Sequence, residues 1–302
     1  MQRIVKYSAD ILSPMRVDAF LRQKGLPPSS IRLLKKERNH IYINDREVYV
    51  IEPVQPTDSV SLEFNEAISM DDKLIQTEIP LDIVYEDADL LIINKQSDLS
   101  VHPVRTNLEN TLANAVAFYY AAQGHEDFVF RCINRLDRYT SGLCILAKNP
   151  LSAQILNEAM KRREIKRTYV AICDGLFEEK EGVVDAPIGR VSEEGIARFV
   201  DFDNGQRAIT NYRVIKEDPK QNISLVEFHL LTGRTHQIRV HMQYIGHPLL
   251  GDSLYNPEDK RMQRTALHAC RLEFTHPLTK ETMDIKKDMP LDMSELFPCS
   301  LF

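Results

Sequence analysis

The sequence predicts an α+β protein: a mainly antiparallel mixed-sheet domain of enzyme size behind a small N-terminal ααβββ unit. Three observations predict it. Apolar residues alternate in long stretches bounded by turn residues, helical spacing occurs in only a few places, and strands do not alternate regularly with helices as they would in a doubly wound sheet. With 302 residues and 43% hydrophobic side chains, the chain can bury a full core and is long enough for two domains.

Residues 1–68 read as the first unit. "VDAFLRQKGL" sets Val17, Phe20 and Leu21 on one helical face, and Gly25 followed by Pro27-Pro28 ends that helix. Ser29 or Ser30 is the expected cap of a second helix, "SIRLLKKER". "IYINDREVYV" alternates around Asn44-Asp45 as a hairpin, and "DSVSLEF" alternates again with Val60, Leu62 and Phe64 on one face. From Arg16 to Arg46 there are eight basic and three acidic residues, enough for modest attraction to phosphate. Residues 69–80, within the acidic stretch "NEAISMDDKLIQTEIP", have no periodicity and are the expected linker.

Residues 81–302 form the second unit. "LDIVYEDADLLIINK" predicts a hairpin, "NTLANAVAFYYAAQG" a helix opened by Asn110 and closed by Gly124, and "SGLCILAK" a buried strand. "LSAQILNEAMKRREI" is helical. "RTYVAICDG", "ITNYRVIKE" and "ISLVEFHLL" are strands, with Asp203-Asn204-Gly205 as a turn. "RTHQIRVHMQYIG" has helical spacing with Thr232 or Thr235 as cap and Gly246 as stop, and "LHACRLEFTHPLTKETMDIK" closes the domain as a hairpin.

Composition excludes several classes of function. No run of about 18 apolar residues occurs and the start "MQRIVKYSADILSPMRVDAF" lacks the apolar core of a signal peptide, so a cytoplasmic protein off the membrane is expected. Five cysteines, at 132, 144, 173, 270 and 299, form no C-x-x-C pair and point to reduced, mostly buried thiols. His236 and His241 stand about 140° apart on a helix and cannot share a metal as an i, i+4 pair does. Neither familiar Gly-rich phosphate loop is present, and Ser141 lacks a G-x-S-x-G elbow. The expectation is therefore no metal and no cofactor.

The net charge of −6 would argue against nucleic acid if it were spread evenly. It is not. Arg131 to Arg167 holds nine basic and three acidic residues, so this segment carries +6 and the remainder −12. Its basic run "KRREIKR" contains Lys161, Arg162, Arg163, Lys166 and Arg167; a solvated helix face or the rim of an anion-binding site would each account for it. Beside it, "NRLDRYTSGL" sets Asp137 between Arg135 and Arg138 in a turn before a strand. An aspartate so placed can bond its own turn, or serve chemistry in which a nearby guanidinium keeps it ionised. Tyr169 in "KRTYVAI" is a rim aromatic by default and a stacking face in an RNA site.

Taken together, "RLDRYTSGL", "KRTYVAI" and "GRTHQIRVHMQYIGHPLLGD", in this order, resemble three motifs of the RluA-type pseudouridine synthases over roughly residues 80–285. The N-terminal unit is similar to the S-four-like RNA-binding domain that often precedes them, though "KKERNHIYIND" lacks the usual Gly of its helix-to-strand turn. The resemblance implies a pseudouridine synthase catalytic domain that isomerises specific uridines of structured RNA, ribosomal RNA above transfer RNA, as a monomer. It implies Asp137 as catalytic carboxylate, Tyr169 as the ring on the target base, Arg234 as the cation paired with Asp137, and Arg135 as a residue that enters the RNA. Arg138, Lys161, Arg162, Arg163, Lys166 and Arg167 would then meet phosphates. The reaction involves no net redox change or hydrolysis, which fits the lack of cofactor motifs. Two departures stand out: "KQSDLSVHP" has Gln96 and Asp98 where that family's first motif usually has Pro and Gly, and Asn134 precedes Arg135 where His is common. An RNA-binding assembly factor that keeps the fold without turnover, and a protein scaffold, are the alternative readings at this point.

Overall fold

The computed structural model describes residues 3–35, 39–64, 74–104, 106–125, 128–192, 195–298 and 301–302. In the N-terminal unit the elements are β1 (Arg3–Ser8), β2 (Met15–Arg16), α1 (Val17–Gln23), α2 (Pro28–Leu33), β3 (Asn39–Ile43), β4 (Arg46–Glu47), β5 (Pro53–Val54) and β6 (Ser59–Phe64). Four of the strands form a sheet in the order β1-β6-β3-β4, whose neighbours all pair antiparallel. Val60, Leu62 and Phe64 of β6 are fully buried against Val17, Phe20 and Leu21 of α1, so both expected apolar faces meet.

Two expectations for this unit are corrected. The ααβββ order omits β1, which buries only Val5 and so carries no visible alternation. The second helix starts at Pro28 with Pro27 as N-cap, because a proline at the first helical position needs no N–H; Ser30 lies inside the helix and is buried. The segment 36–38 of the expected "SIRLLKKER" helix lies outside the described residues, as do 65–73 of the boundary and linker region.

In the second unit the elements are β7 (Asp82–Glu86), β8 (Leu90–Lys95), α3 (Leu112–Ala121), β9 (Ser141–Ala147), α4 (Pro150–Lys161), β10 (Lys166–Asp174), β11 (Glu181–Asp185), β12 (Ile188–Arg190), β13 (Arg198–Val200), β14 (Ile209–Asp218), β15 (Ile223–Leu230), α5 (Gln237–Tyr244), β16 (Leu267–Thr275), β17 (Thr282–Lys286) and α6 (Leu291–Leu296). A nine-stranded sheet runs β11-β14-β15-β10-β16-β9-β8-β7, with β17 on β16 as well. Every pair in it is antiparallel except β9 with β16, which run parallel.

Helices cover both faces of this sheet. Leu112, Val116 and Tyr120 of α3 share one core cluster with Ile238 and Met242 of α5. On the opposite face Leu156 of α4 packs against Leu90, Ile92, Leu143 and Ile145, and Met293 of α6 packs against Val170, Ile172 and Leu225. Hence all seven residues of β9 are buried and "SGLCILA" reads as a continuous apolar run instead of an alternation. Helix caps follow local chemistry: Thr111 forms a capping box with Asn114 at α3, one residue later than the expected Asn110, and Asn149 caps α4 by accepting from Ser152 N.

The two units are docked. Leu151 and Ile155 of α4 complete the N-terminal core. Arg3 of β1 forks onto Asp89 with two bonds of 2.8 Å, and Asp89 also accepts from Asn149 Nδ2 at 2.8 Å. Within the expected linker, Asn114 Nδ2 donates to the Ile75 carbonyl at 2.7 Å and Thr77 Oγ1 donates to the Glu109 carbonyl at 2.6 Å, so this strand of chain is laid down on the start of α3.

Candidate active site

The carboxylate turn is held from below. Asn134, 2% exposed, donates its amide to the Leu143 carbonyl at 2.9 Å and accepts from Ile145 N at 2.7 Å, pinning the turn to β9. The Asp137 carbonyl accepts from Thr140 N at 3.1 Å and closes it. A second support comes from "KQSDLSVHP". Lys95, 1% exposed, ends β8 and donates to the carbonyls of Gln96, Leu99 and Arg138 at 2.8, 2.9 and 3.1 Å. Burial lowers its pKa to about 8, and its three acceptors satisfy all three ammonium hydrogens. Ser97 Oγ donates to the Tyr139 carbonyl at 2.9 Å, and Asp98 accepts from Arg138 Nε at 2.8 Å.

Asp137 lies above β9 with its side chain 27% exposed, open to a cleft of about 1020 Å³. Tyr169, near the start of β10, lines the same cleft and is 4% exposed; burial raises its hydroxyl pKa. Eight lysine and arginine side chains line the cleft, and Asp137 is the one acid among the lining residues. They include Arg135, Arg138, Lys161, Arg163, Lys166, Arg167 and Arg234, so the structure brings these predicted residues to one opening. Arg162 is not among them; it forks onto Glu164 at 2.7 and 2.9 Å. Lys161 is partly neutralised by Glu158 at 3.1 Å.

The pairing expected between Arg234 and Asp137 is corrected. Arg234 lies before α5 and is exposed, and its Nε donates to the Arg207 carbonyl at 3.2 Å. The guanidinium on Asp137 is that of Arg239, whose Nη1 is 3.3 Å from Oδ2. Arg239 sits on the inward face of α5 with its side chain 6% exposed, and its Nε and Nη2 fork onto Asp252 at 2.7 Å each. Burial acts to lower its pKa, but the bonds to Asp252 and the charges of Asp252 and Asp137 outweigh this and raise it. The cation is therefore permanent and bridges one fully buried and one accessible carboxylate. The signal for Arg239 was present in "QIRVHM": an arginine between buried Ile238 and Val240 on a short helix needs a buried acid, and Asp252 supplies it.

The expected cap of α5 is also corrected. Its N-cap is His236, in left-handed backbone at φ +58°, with no side-chain cap bond. Thr232 instead accepts from Ile209 N at 2.8 Å and donates to Gln237 Oε1 at 2.8 Å, tying the loop to the helix. His236 lines the cleft with Nε2 3.9 Å from Asp137 Oδ2, whereas His241 is fully buried between the Thr210 hydroxyl and the Ala186 carbonyl, each at 2.9 Å.

The sequence profile described as RNA pseudouridylate synthase matches residues 89–244, the span that holds Asp137, Tyr169 and Arg239. The chain belongs to the RNA pseudouridine synthase family. It is an isomerase that converts uridine in RNA to pseudouridine. It is 38% identical to an RNA pseudouridine synthase of Bacillus subtilis, YjbO, over 93% of this chain and 98% of that one. The ribosomal large subunit pseudouridine synthase D of Zymomonas mobilis is 42% identical over 73% of each chain. Among solved structures, human RNA pseudouridylate synthase domain containing 1 superposes with a TM-score of 0.59 at 29% identity, covering 73% of this chain and 88% of that one. The pseudouridine synthase fold, α and β mixed around one large sheet, is thus shared.

Proposed function

We propose that Asp137 is the carboxylate that acts on the ribose, that Tyr169 packs on the uracil, and that Arg239 is the cation paired with Asp137. The substrate we propose is ribosomal RNA. Its support is the similarity to a ribosomal large subunit pseudouridine synthase across nearly three quarters of the chain. The observation that carries the site is the single acid at the floor of a basic cleft, joined to a guanidinium that is itself anchored by a buried acid.

In the reaction the bond from C1′ to N1 breaks with its electron pair leaving on the uracil. Carbon C1′ becomes electron-poor, and a carboxylate beside it either captures it as an ester or assists loss of a neighbouring ribose proton. The uracil turns and C5 bonds to C1′, releasing the Asp137 carboxylate from the ester or, on the elimination route, with the ribose proton returned; the proton on C5 then departs and N1 takes one up, so the product is an isomer of the substrate. A target inside a stack cannot reach Asp137, so on this reading the nucleotide is flipped into the cleft and the exposed Arg135, which lines it, is assigned to the vacated position. Arg138, Lys161, Arg163, Lys166, Arg167 and Arg234 are assigned to backbone phosphates. The N-terminal unit is assigned as an S-four-like RNA-binding domain on residues 1–68, and the enzyme is taken to act as a cytoplasmic monomer. Among the described residues no helix is long and apolar enough to cross a membrane.

The test is transcriptome-wide pseudouridine mapping with the gene present, deleted, or carrying Asp137→Asn. Loss of the same sites in the deletion and in Asp137→Asn is expected. Unchanged modification in Asp137→Asn would defeat the assignment, and rescue of a deletion's ribosome-assembly defect by that variant would favour the assembly-factor reading.

A further inference from the structure

His236 is used by none of the steps above, yet its geometry is specific. Its Nε2 faces Asp137 in the cleft and its Nδ1 is 2.9 Å from the hydroxyl of Tyr255, a side chain 7% exposed. That hydroxyl already accepts the backbone N–H of Arg198 at 2.9 Å. Donation of its one hydrogen to His236 Nδ1 gives that hydrogen an acceptor, and on this ground Nδ1 is assigned as the unprotonated nitrogen and the ring hydrogen to Nε2. The opposite tautomer would leave the buried tyrosine hydrogen without a partner and turn a nitrogen lone pair toward the Asp137 carboxylate. Burial chiefly lowers the pKa of His236, and Arg239, which lies 4.9 Å from the Tyr255 ring, adds to this against the opposing pull of Asp137, so a second positive charge beside Arg239 is disfavoured. The left-handed backbone at His236 is what aims the ring into the cleft at the start of α5.

Resting on the reading that this cleft isomerises uridine, we propose that His236 is a further catalytic residue: a neutral imidazole whose Nε2–H, set by the Tyr255 hydroxyl, donates to a uracil carbonyl as the base departs. When C1′–N1 breaks, its electron pair spreads over N1 and the two carbonyl oxygens of the ring. A fixed neutral donor stabilises that charge without giving up its proton, so uracil stays an anion able to turn and attack through C5. Tyr255 is the positioning residue that acts through His236. Asp137 keeps its own ion pair with Arg239 while the donor is directed at the base.

The experiment uses the full chain under single-turnover conditions on total RNA from a strain deleted for the gene, reading the conversion rate at saturating enzyme and the enzyme concentration for half-saturation. Asn at 236 accepts left-handed backbone and keeps an amide at the place of Nδ1, but has nothing at Nε2; Gln puts an amide near Nε2. His236→Asn should lower the saturating rate about 100-fold with half-saturation nearly unchanged, and His236→Gln should recover most of the rate. The ¹⁵N chemical shifts of the imidazole in the free wild type should report hydrogen on Nε2 alone, and Tyr255→Phe should mix the tautomers and slow conversion. A wild-type rate in His236→Asn, equal losses in Asn and Gln variants, or an Nδ1–H or cationic ring in the wild type would overturn the inference. A wild type that converts no uridine would instead remove the reading beneath it.

Discussion

Asp98 occupies left-handed backbone at φ +61°, the conformation for which a glycine is the usual residue, and an aspartate is among the few side chains that tolerate it. In "KQSDLSVHP" Asp98 thus takes a backbone conformation that a glycine would, and it pairs with Arg138 beside the turn that carries Asp137. The same scale separates the two arginines of "GRTHQIR". Arg239→Ala would leave Asp252 buried and unpaired, costing about 3–5 kcal/mol, and would abolish conversion; thermal denaturation and the pseudouridine assay read these separately. Arg234→Ala should change stability by less than about 0.5 kcal/mol and weaken RNA binding while leaving the saturating rate within a few-fold. If Arg234→Ala instead stopped turnover with Arg239→Ala still active, the pairing described above would be the wrong one. The turn that brings Asp137 to the cleft was legible because its motif is contiguous. The partner of Asp137 was not, because the contact joins residues 102 apart and both arginines sit in the same motif.

At the level of elements, the junction of β9 with β16 adjoins the turn that carries Asp137. Only His268 with Ser141 and Ala269 with Gly142 are in register there, so the two halves of the sheet meet over a short parallel contact. Gly142 has φ +117°, and a Cβ on it would stand 2.4 Å from the Ala269 carbonyl oxygen. Gly142→Ala therefore combines backbone strain with a clash against main chain that has no rotamer to change, and should cost about 2–4 kcal/mol, seen as a lowered denaturation midpoint. Near-wild-type stability would mean β16 can retreat from β9. The longer strands β7 to β10 and β14 to β17, and α3 to α5, were legible from periodicity and turn residues, whereas the short paired strands β2, β5, β11, β12 and β13 were not read from the sequence. β1 was not, having one buried side chain, and neither was the parallel pairing, which depends on a partner more than a hundred residues away.

For the molecule as a whole, the proposed hold on RNA rests on charge partition. The acidic balance of the chain is compatible with binding because the cleft collects eight cationic side chains and one acid. Not all of the basic run contributes equally. Arg163→Ala and Lys166→Ala should each reduce the slope of log affinity against log salt by about 0.7–0.9, whereas Arg162→Ala, removing a side chain already forked onto Glu164, should leave it unchanged. Equal slopes for all three variants would return the run to an ordinary solvated surface. The sequence showed the run; which members face the cleft needed the bend after α4, where Arg163 takes left-handed backbone at φ +61°.

Helix α4 reaches the N-terminal core through Leu151 and Ile155 at one end and brings Lys161 to the cleft at the other. Twelve residues make it about 18 Å long. On the proposed reading it works as a caliper: an RNA gripped by the first unit presents only those uridines lying at a set offset from the grip. One added turn, about 5.4 Å, exceeds the spacing of a base step, so helix length itself becomes part of the address by which a nucleotide is chosen.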